Sequence, residues 1–479
     1  MFPSHLHVAD FGIFAVVAVF ALIVILFSLF DFRKSAKGPS IPGPEPSNPE
    51  SGNLEDLKKA GSLHEYMVYL HDTYGKIVGF WWGETYTVSV ACPYLWKDIQ
   101  GLFDRPRELF KMFEPLIGKK SIQYKNGPKG RQLRQVTDRS FSHEAVMNYY
   151  DCILETAKEM EAKWESLPKG EHIPLEKNMF YLAVKSMGLS GLGKTFRDDK
   201  ESAKFIEAYE TCWQEMEAQL GTPPPTEGSD RHEKFEEGRK IMRSTIKDVI
   251  KARKNMDKKT DKLFIDSMIE YDQIDQEELE DDILSFMIGG FHTTGNMMIW
   301  CFYYLALHPE VQEKVYQELI EVLGEEDIVP SAASQLKYCR QVIDETLRCS
   351  ILAPWGARVQ MDHDLQIGDH VVPKETPILL PFGVVLHDPE IFPEPQRFDP
   401  DRFSPDNAKE LPSLAFQPFG FAGKRKCPGW RFSITEGLVF LSVFIRRFKV
   451  ELVAGQKVQP VHRLVTSPNE EIWITINKR

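Results

Sequence analysis

The sequence predicts a mainly α-helical fold with a minor β part, preceded by one N-terminal transmembrane helix. An uncharged apolar run fills residues 11–30, which is long enough to span a bilayer. Apolar residues then recur at helical spacing from Gly61 to the region of Cys349, and beyond it short alternating segments indicate strands and coil. We therefore divide the chain into an N-terminal anchor (1–37), a proline-rich hinge (38–52) and one large folded domain (53–479).

The anchor is predicted from the run Phe11–Phe30, which reads FGIFAVVAVFALIVILFSLF. As a helix it would be about 30 Å long, the thickness of a bilayer core. A cleaved signal peptide or a buried core helix would be the alternatives, but signal segments are shorter and no A-x-A-like cleavage site follows. Asp10 precedes the run and Arg33, Lys34 and Lys37 follow it, which predicts that the body lies on the cytosolic side.

Composition and charge restrict the class of protein. The 479 residues include 58 Lys+Arg and 70 Asp+Glu, a net charge of −12, which argues against nucleic-acid binding. A hydrophobic content of 42% with 27% charged residues is typical of a globular protein with a sizeable core. The 7 cysteines are scattered singly without a CxxC pair, which favours a reduced, intracellular body over a disulfide framework or zinc site.

Turn and charge signals predict the order of the elements. The hinge, Gly38–Gly52, contains prolines that exclude a helix and favour a semi-rigid extended tether. Arg231–Lys262 is a charged helical stretch, and Asp272–Asp282 opens an apolar helix. The acidic run Asp275–Asp282 is most simply a solvated helix start, where carboxylates favour the N-terminal dipole.

In the last quarter of the chain, short segments with alternating apolar residues replace the long helical patterns. Residues 365–367 and 370–372 flank Gly368-Asp369, which predicts a hairpin with a two-residue turn. A last apolar helix is expected from Pro428 onward, and the alternation in residues 472–476 predicts a closing strand.

One cysteine lies where chemistry is expected. The stretch Phe416–Gly429, FQPFGFAGKRKCPG, delivers Cys427 to a point just ahead of the last helix, with Arg425 two residues before it. Free backbone N–H groups and the positive helix end favour a thiolate there, which is a nucleophile or a metal ligand. A buried structural cysteine is the alternative for this residue taken alone.

Two charged features accompany the cysteine. Glu345 and Arg348 lie on one helix face at i, i+3, ordinarily a solvated pair worth a few tenths of a kcal/mol. Arg402 follows in the proline-rich coil Asp399–Phe403.

A third feature interrupts the predicted apolar helix. Gly289 and Gly290 cost about 1 kcal/mol each relative to alanine, so helix propensity alone would not select them. His292 and Thr293 follow directly, and a mid-helix threonine can bond back to the preceding turn or face a ligand.

In their order and spacing these four segments resemble the cytochrome P-450 superfamily, the haem-thiolate monooxygenases, and most closely its orphan family numbered 20. The resemblance covers the chain from the anchor to the end and implies the cytochrome P-450 fold with haem b as cofactor. It implies that Cys427 is the axial thiolate ligand of the iron, and that a buried ion network organises the cysteine loop. The implied network is Glu345, Arg348 and Arg402, and the implied haem contacts are Arg134, Arg358, Arg425, Gly289, Gly290 and Phe419.

The sequence departs from the family pattern at three points. The cysteine loop holds one extra residue, so either Phe419 or Phe421 could cover the thiolate. The tryptophan usual four residues before Arg134 is replaced by Gly130, which predicts one lost propionate contact. His292 replaces the usual acidic residue before Thr293; it could relay protons or simply point to solvent.

The resemblance implies a membrane-anchored monooxygenase that inserts one oxygen atom from O2 into a lipophilic substrate, with Thr293 and His292 in proton delivery. Electrons would come from NADPH through NADPH–cytochrome P-450 reductase, with cytochrome b5 as an optional second donor. The expected location is the endoplasmic reticulum membrane, with the catalytic domain (53–479) in the cytosol. A haem-thiolate isomerase or dehydratase using peroxide, and a catalytically weak haem- or sterol-binding protein, are the alternatives.

Overall fold

The computed structural model describes residues 41–219, 223–256 and 261–479 of the chain. The predicted anchor at residues 11–30 lies outside this range. Within the described residues no helix is both long and apolar enough to cross a membrane. The described fold is mainly helical with minor sheets, as the sequence predicted.

The α-helices of the described residues are between 4 and 32 residues long. They are α1 (Leu54–Ala60), α2 (Leu63–Tyr74), α3 (Trp96–Ile99), α4 (Arg107–Phe110), α5 (Glu114–Ile117), α6 (Gly127–Thr137), α7 (His143–Glu165), α8 (Leu175–Leu192), α9 (Asp199–Ala218), α10 (Asp230–Lys254), α11 (Asp266–Ile269), α12 (Gln276–Leu307), α13 (Pro309–Leu323), α14 (Lys337–Ser350), α15 (Phe382–Leu386) and α16 (Trp430–Arg447). The strands are β1 (Ile77–Trp82), β2 (Thr85–Val90), β3 (Ile173–Pro174), β4 (Gly356–Val359), β5 (Leu365–Ile367), β6 (His370–Val372), β7 (Pro377–Leu380), β8 (Phe448–Leu452), β9 (Pro460–His462), β10 (Thr466–Pro468) and β11 (Trp473–Lys478).

The central helix α12 lies in the main hydrophobic core, which it shares with α7, α8, α14 and α16. Its start is fixed by a capping box, in which Asp275 accepts from the Glu278 N–H at 2.8 Å and Glu278 accepts in return at 3.2 Å. The helix start was therefore predicted correctly. The prediction that the acidic residues of this helix start are solvated is wrong, because Glu278, Asp281 and Asp282 are buried.

The largest sheet has the strand order β1-β2-β7-β4, with β2 and β7 parallel and the other neighbours antiparallel. The hairpin β1–β2 lies within the stretch that the sequence predicted to be helical, so that prediction is wrong there. Gly83, with φ +60°, makes the turn between aromatic and β-branched residues that favour strands. A glycine between two such segments is a hairpin signal that was already present in the sequence. The sheet also places Arg358, on β4, opposite Ile378.

Two smaller β elements agree with the sequence. Strands β5 and β6 form the predicted antiparallel hairpin about Gly368-Asp369. Strand β11 pairs antiparallel with both β8 and β3, and Ile474 is buried. It is the predicted closing strand, displaced by one residue.

The described part of the predicted hinge packs against the sheet. The Gly79 N–H donates to the Pro42 carbonyl at 2.8 Å, and the Trp81 N–H donates to the Asn53 side chain at 2.9 Å. A Cβ added at Gly43 would lie 1.9 Å from the Gly79 oxygen, so the backbones touch there. From Ile41 onward the segment therefore belongs to the folded body.

Candidate functional site

The cysteine loop is held by its own backbone and by the chain near Leu102. The Cys427 N–H donates to the Phe419 carbonyl at 2.8 Å, and Gly423 N–H donates to Gln100 at 2.6 Å. Gly423 has φ +57°, and a Cβ there would lie 2.5 Å from the Leu102 oxygen, so only glycine fits. The loop ends at Gly429, the N-cap of α16, as the sequence predicted.

Cys427 is exposed, yet enough protein surrounds its sulfur that desolvation raises the pKa of the thiol. The Gly429 N–H and the guanidiniums of Arg134 and Arg105 act in the opposite direction without cancelling that effect. The helix end alone therefore does not produce the thiolate that the sequence suggested. A bound metal cation would, because coordination deprotonates a thiol.

The two phenylalanines of the loop have different surroundings. Phe421 stacks on Trp96 at 5.1 Å between ring centroids and contacts Phe382 edge-on, away from the main core. Phe419 packs against the main core, and its carbonyl accepts the Cys427 N–H. The geometry therefore favours Phe419 as the aromatic residue beside the sulfur.

The predicted ion network is present and enclosed. Arg348 donates to Glu345 through two bonds of 2.7 and 2.8 Å, and both side chains have no exposed surface. Arg348 also donates to the carbonyls of Leu386, Pro395 and Arg397 at 2.8–3.1 Å. The Asp399 N–H donates to Glu345 at 2.8 Å, and the Arg402 Nε lies 3.4 Å from the same carboxylate.

A second group of cations lies around Cys427. We call Arg105, Arg134, Arg358 and Arg425 the arginine group. Arg134 is paired with Asp138 at 2.7 Å and donates to the Lys426 carbonyl at 2.7 Å. Among the described residues the other three have no carboxylate within ion-pair distance, and each has a buried Nε without a hydrogen-bond partner.

Burial, and after it repulsion within the arginine group, lowers the pKa of three of its members. The pKa is about 8 for Arg425, about 9 for Arg358 and about 10 for Arg105. Unpaired buried charge is costly, and a bound anion would relieve both the desolvation and the repulsion. The two carboxylates of a haem fit this arrangement, so the donor set suits the predicted cofactor.

Arg105 was not predicted from the sequence. It precedes Pro106 in a loop without a recognisable motif, and its backbone N–H donates to Asn126 at 3.0 Å. No spacing or periodicity distinguishes it from a surface arginine. Only the tertiary structure brings it beside Arg134 and Cys427.

The absence of a tryptophan at Gly130 has a local explanation. A Cβ at Gly130 would lie 2.2 Å from the Lys125 oxygen and 3.1 Å from the Phe103 ring. The backbone of the preceding loop occupies the space that a side chain would need.

The central helix presents an open face at Gly289. This residue is exposed although its helical neighbours are mostly buried, and a Cβ there would meet nothing within 4 Å. The Thr293 hydroxyl donates to the Gly289 carbonyl at 2.6 Å. Gly290 differs, because a Cβ there would lie 2.7 Å from Met187, so this glycine allows α8 to pack closely. Contact with the cofactor is therefore not supported for Gly290.

His292 is buried among aromatic side chains instead of pointing to solvent. Its Nδ1 is hydrogen-bonded to the Tyr209 hydroxyl, and its ring lies 4.0 Å from Trp213 and 5.5 Å from Phe180. Burial lowers the pKa of His292 to about 3, which keeps the ring neutral. These contacts hold α9 against α12 and do not favour the proton relay suggested by the sequence.

Comparison with known proteins identifies the family to which the chain is similar. The sequence model of the family described as cytochrome P-450 matches residues 42–475. The chain is 33% identical to cytochrome P-450 20A1 of Homo sapiens over 473 residues, which cover 98% of this chain and 99% of the relative. It is 34% identical to the Mus musculus protein of the same name over 476 residues, with the same coverage. Cyclooctat-9-en-7-ol 5-monooxygenase of Streptomyces melanosporofaciens is 26% identical over 75% of this chain and 77% of that protein.

Proposed function

The chain belongs to the cytochrome P-450 family, and we propose that it is a membrane-anchored monooxygenase that inserts one oxygen atom from dioxygen into a lipophilic substrate. Membership of the family means a haem-thiolate oxidoreductase whose iron is held by a cysteine. The observation that supports the proposal is the juxtaposition of Cys427 with buried guanidiniums that lack anionic partners.

We assign Cys427 as the iron ligand, because it lies at the start of α16 beside Arg105 and Arg134. Arg105, Arg358 and Arg425 would bind the propionates, while the Glu345–Arg348 pair fixes the coil that precedes the loop. A thiolate-ligated haem supplies an iron suited to cleavage of the O–O bond.

Thr293 is the residue of the chain that we assign to proton handling. Its hydroxyl now donates to the Gly289 carbonyl at 2.6 Å, and rotation about χ1 would release it toward the open face at Gly289. There it can hold a water molecule or pass on a proton. His292 is enclosed by Tyr209 and Trp213 on another side of the helix, and we therefore propose that protons reach Thr293 by another path.

The membrane attachment rests on the sequence of residues 11–30 and on the basic residues that follow it. The location would be the endoplasmic reticulum, with the body in the cytosol. Deletion of residues 1–37 should release most of the protein from membranes without loss of haem. Haem loss on truncation would show that the segment is part of the fold.

Electrons are proposed to come from NADPH through cytochrome P-450 reductase, with cytochrome b5 as an optional second donor. Lys424 and Lys426 are exposed beside the cysteine loop and would complement an acidic donor surface. Turnover with reductase and NADPH, compared with turnover of an added hydroperoxide alone, separates monooxygenation from peroxide isomerisation. Product only from the hydroperoxide would contradict the proposal.

The axial ligand is tested by Cys427→Ser in the full chain. The variant should lose the red-shifted Soret band that a thiolate gives to the reduced CO complex. Cys152→Ser, at a half-buried free cysteine on α7, is the matched control and should keep that band. A normal band in Cys427→Ser protein would exclude Cys427 as the ligand.

A further inference from the structure

The acidic start of α12 holds the loop of residues 118–126, which we call the 118–126 loop. Asp281 accepts from the Lys120 N–H at 3.0 Å, and Asp282 accepts from the Ile122 N–H at 2.5 Å. Both carboxyl groups are at most 1% exposed. Backbone hydrogen bonds to buried acceptors are lost at full cost when the acceptor is removed.

The loop lies directly on the helix. A Cβ added at Gly118 would lie 2.1 Å from the Asp281 carboxyl oxygens, so there is no space between them. The Ser121 and Ser285 hydroxyls are 2.7 Å apart, and Lys125 pairs with Glu278. The position of the 118–126 loop is therefore set by side chains of α12.

On its other side the same loop contacts the arginine group. Arg425 donates to the Ile122 carbonyl at 2.9 Å and also to the Lys125 carbonyl. Arg105 donates to the Gln123 side chain, and the Asn126 side chain donates to the Arg105 carbonyl at 2.8 Å. The loop thus fixes two of the guanidiniums that lack carboxylate partners.

Gly130 provides the space into which the loop fits, because its missing side chain admits the Lys125 carbonyl. The Phe103 ring closes this side, with the guanidiniums of Arg131 and Arg425 each 4.4 Å from its centroid. A continuous series of contacts therefore runs from α12 through the loop to the guanidiniums beside Cys427.

We propose that Asp281 and Asp282 are positioning residues that hold the 118–126 loop against Arg425 and Arg105, and that they thereby slow the loss of the anionic cofactor. The proposal rests on the proposed function, since it takes the ligand of the arginine group to be haem. It gives a role to an acidic run that would otherwise be only a helix start.

The test uses haem-loaded full-length protein and measures the rate of haem transfer to excess apomyoglobin. Asp281→Ala and Asp282→Ala should each raise this rate by about tenfold or more, as the loss of an outer contact does at other metal sites. Burial raises the pKa of Asp282 to about 8, so asparagine matches its neutral form and keeps the acceptor for Ile122. Asp282→Asn should therefore restore a rate close to that of the wild type.

Two controls separate positioning from general destabilisation. Glu280→Ala removes a buried carboxylate of α12, and Lys247→Ala removes its exposed ion-pair partner at 3.6 Å; neither side chain has a described hydrogen bond to the 118–126 loop. Both should leave the transfer rate unchanged. Hydrogen exchange should show faster exchange of the Lys120 amide in Asp281→Ala and of the Ile122 amide in Asp282→Ala.

Unchanged transfer rates in both aspartate-to-alanine variants would overturn the proposal, as would equal acceleration by Glu280→Ala and Lys247→Ala. Faster transfer without faster exchange in the 118–126 loop would also contradict it. These failures differ from failure of the proposed function, which would appear as a wild-type protein without the thiolate–CO band.

Discussion

Two of the regions that hold buried arginines in the described part of the chain present opposite conditions. In the network of α14, Arg348 has no exposed surface and donates to Glu345 and to three carbonyls. In the arginine group, Arg358 and Arg425 are equally enclosed but each retains an unpartnered Nε and no carboxylate. The charge of Arg348 is balanced within the protein, whereas Arg358 and Arg425 lack a counter-charge among the described residues. A bound anion would supply it, and for this reason we propose that a ligand binds at the second region.

Two adjacent residues of α12 also differ in how far the protein encloses them. His292 is enclosed by Tyr209 and Trp213, and its pKa of about 3 keeps it neutral. Thr293 is less buried and its only described hydrogen bond is to the open turn at Gly289. Helical geometry places neighbouring side chains about 100° apart, so one faces the packing of α9 and the other the open side.

The largest effect is expected where the closed network is broken. Glu345→Ala would leave Arg348 buried without its counter-charge, which typically costs about 3–5 kcal/mol. We expect little or no soluble haem-loaded protein, measured as yield and absorbance after purification. Arg197→Ala, at an exposed pair with Glu155 far from this network in the chain, is the control and should cost less than about 1 kcal/mol. Normal recovery of haem-loaded Glu345→Ala protein would refute the assignment.

Thr293→Ala tests the less buried of the two adjacent residues His292 and Thr293 on α12. Loss of the hydroxyl should reduce productive turnover by about 10²-fold while NADPH is still consumed and peroxide is released. The measurement is peroxide formed per NADPH oxidised in enzyme reconstituted with reductase. His292→Phe is the neighbouring control and should leave this ratio unchanged, because its ring is enclosed by α9 residues. Equal uncoupling in both variants would restore His292 as a relay.

Arg358→Met tests the guanidiniums that lack a carboxylate partner, and here we expect the haem-free protein to gain stability. Removing an unpaired buried charge should raise the melting temperature of the haem-free protein, because repulsion from Arg105 and Arg134 disappears. Haem affinity should fall by about 10–100-fold. Arg197→Met, at 56% exposure in a pair with Glu155, is expected to change neither quantity. A destabilised haem-free Arg358→Met protein would mean that this arginine is structural, like Arg348.

The smallest effect concerns acid stability. The pKa of His292 is about 3 in the folded state and near 6.5 when unfolded, so its contribution is complete above pH 6.5 and is lost as the pH falls toward 3. His292→Gln should therefore reduce the pH slope of unfolding below pH 6 by at most about 1.4 kcal/mol per pH unit. Urea unfolding between pH 7 and pH 4.5 measures this slope. The exposed His143→Gln should have no effect, and an unchanged slope in His292→Gln would show that His292 is not buried as described.

The sequence predicted the fold class, the start of α12 and the hairpin β5–β6, because each depends on local signals such as caps, turns and periodicity. It missed the hairpin β1–β2, where long helical stretches on both sides obscured two short strands about Gly83. Within the candidate site the ordered motifs pointed to Cys427, Glu345 and Arg348, and the roles of these residues stay predictions. Glu345 and Arg348, three positions apart on one helix face, form an ion pair with two hydrogen bonds of 2.7 and 2.8 Å.

The features that could be read from the sequence were therefore local or carried by motifs: a thiol ahead of a helix, a charged pair at i, i+3 and an apolar N-terminal run. Which charges are enclosed and which lack a partner depends on the tertiary structure. Arg105 and Arg425 are 320 positions apart in the chain, yet the charge of Arg105 adds to burial in depressing the pKa of Arg425. The acidic run of α12 likewise looked solvated until residues 118–126 were found to cover it. Burial and charge pairing arise from contacts between distant segments, and neither composition nor periodicity encodes those contacts.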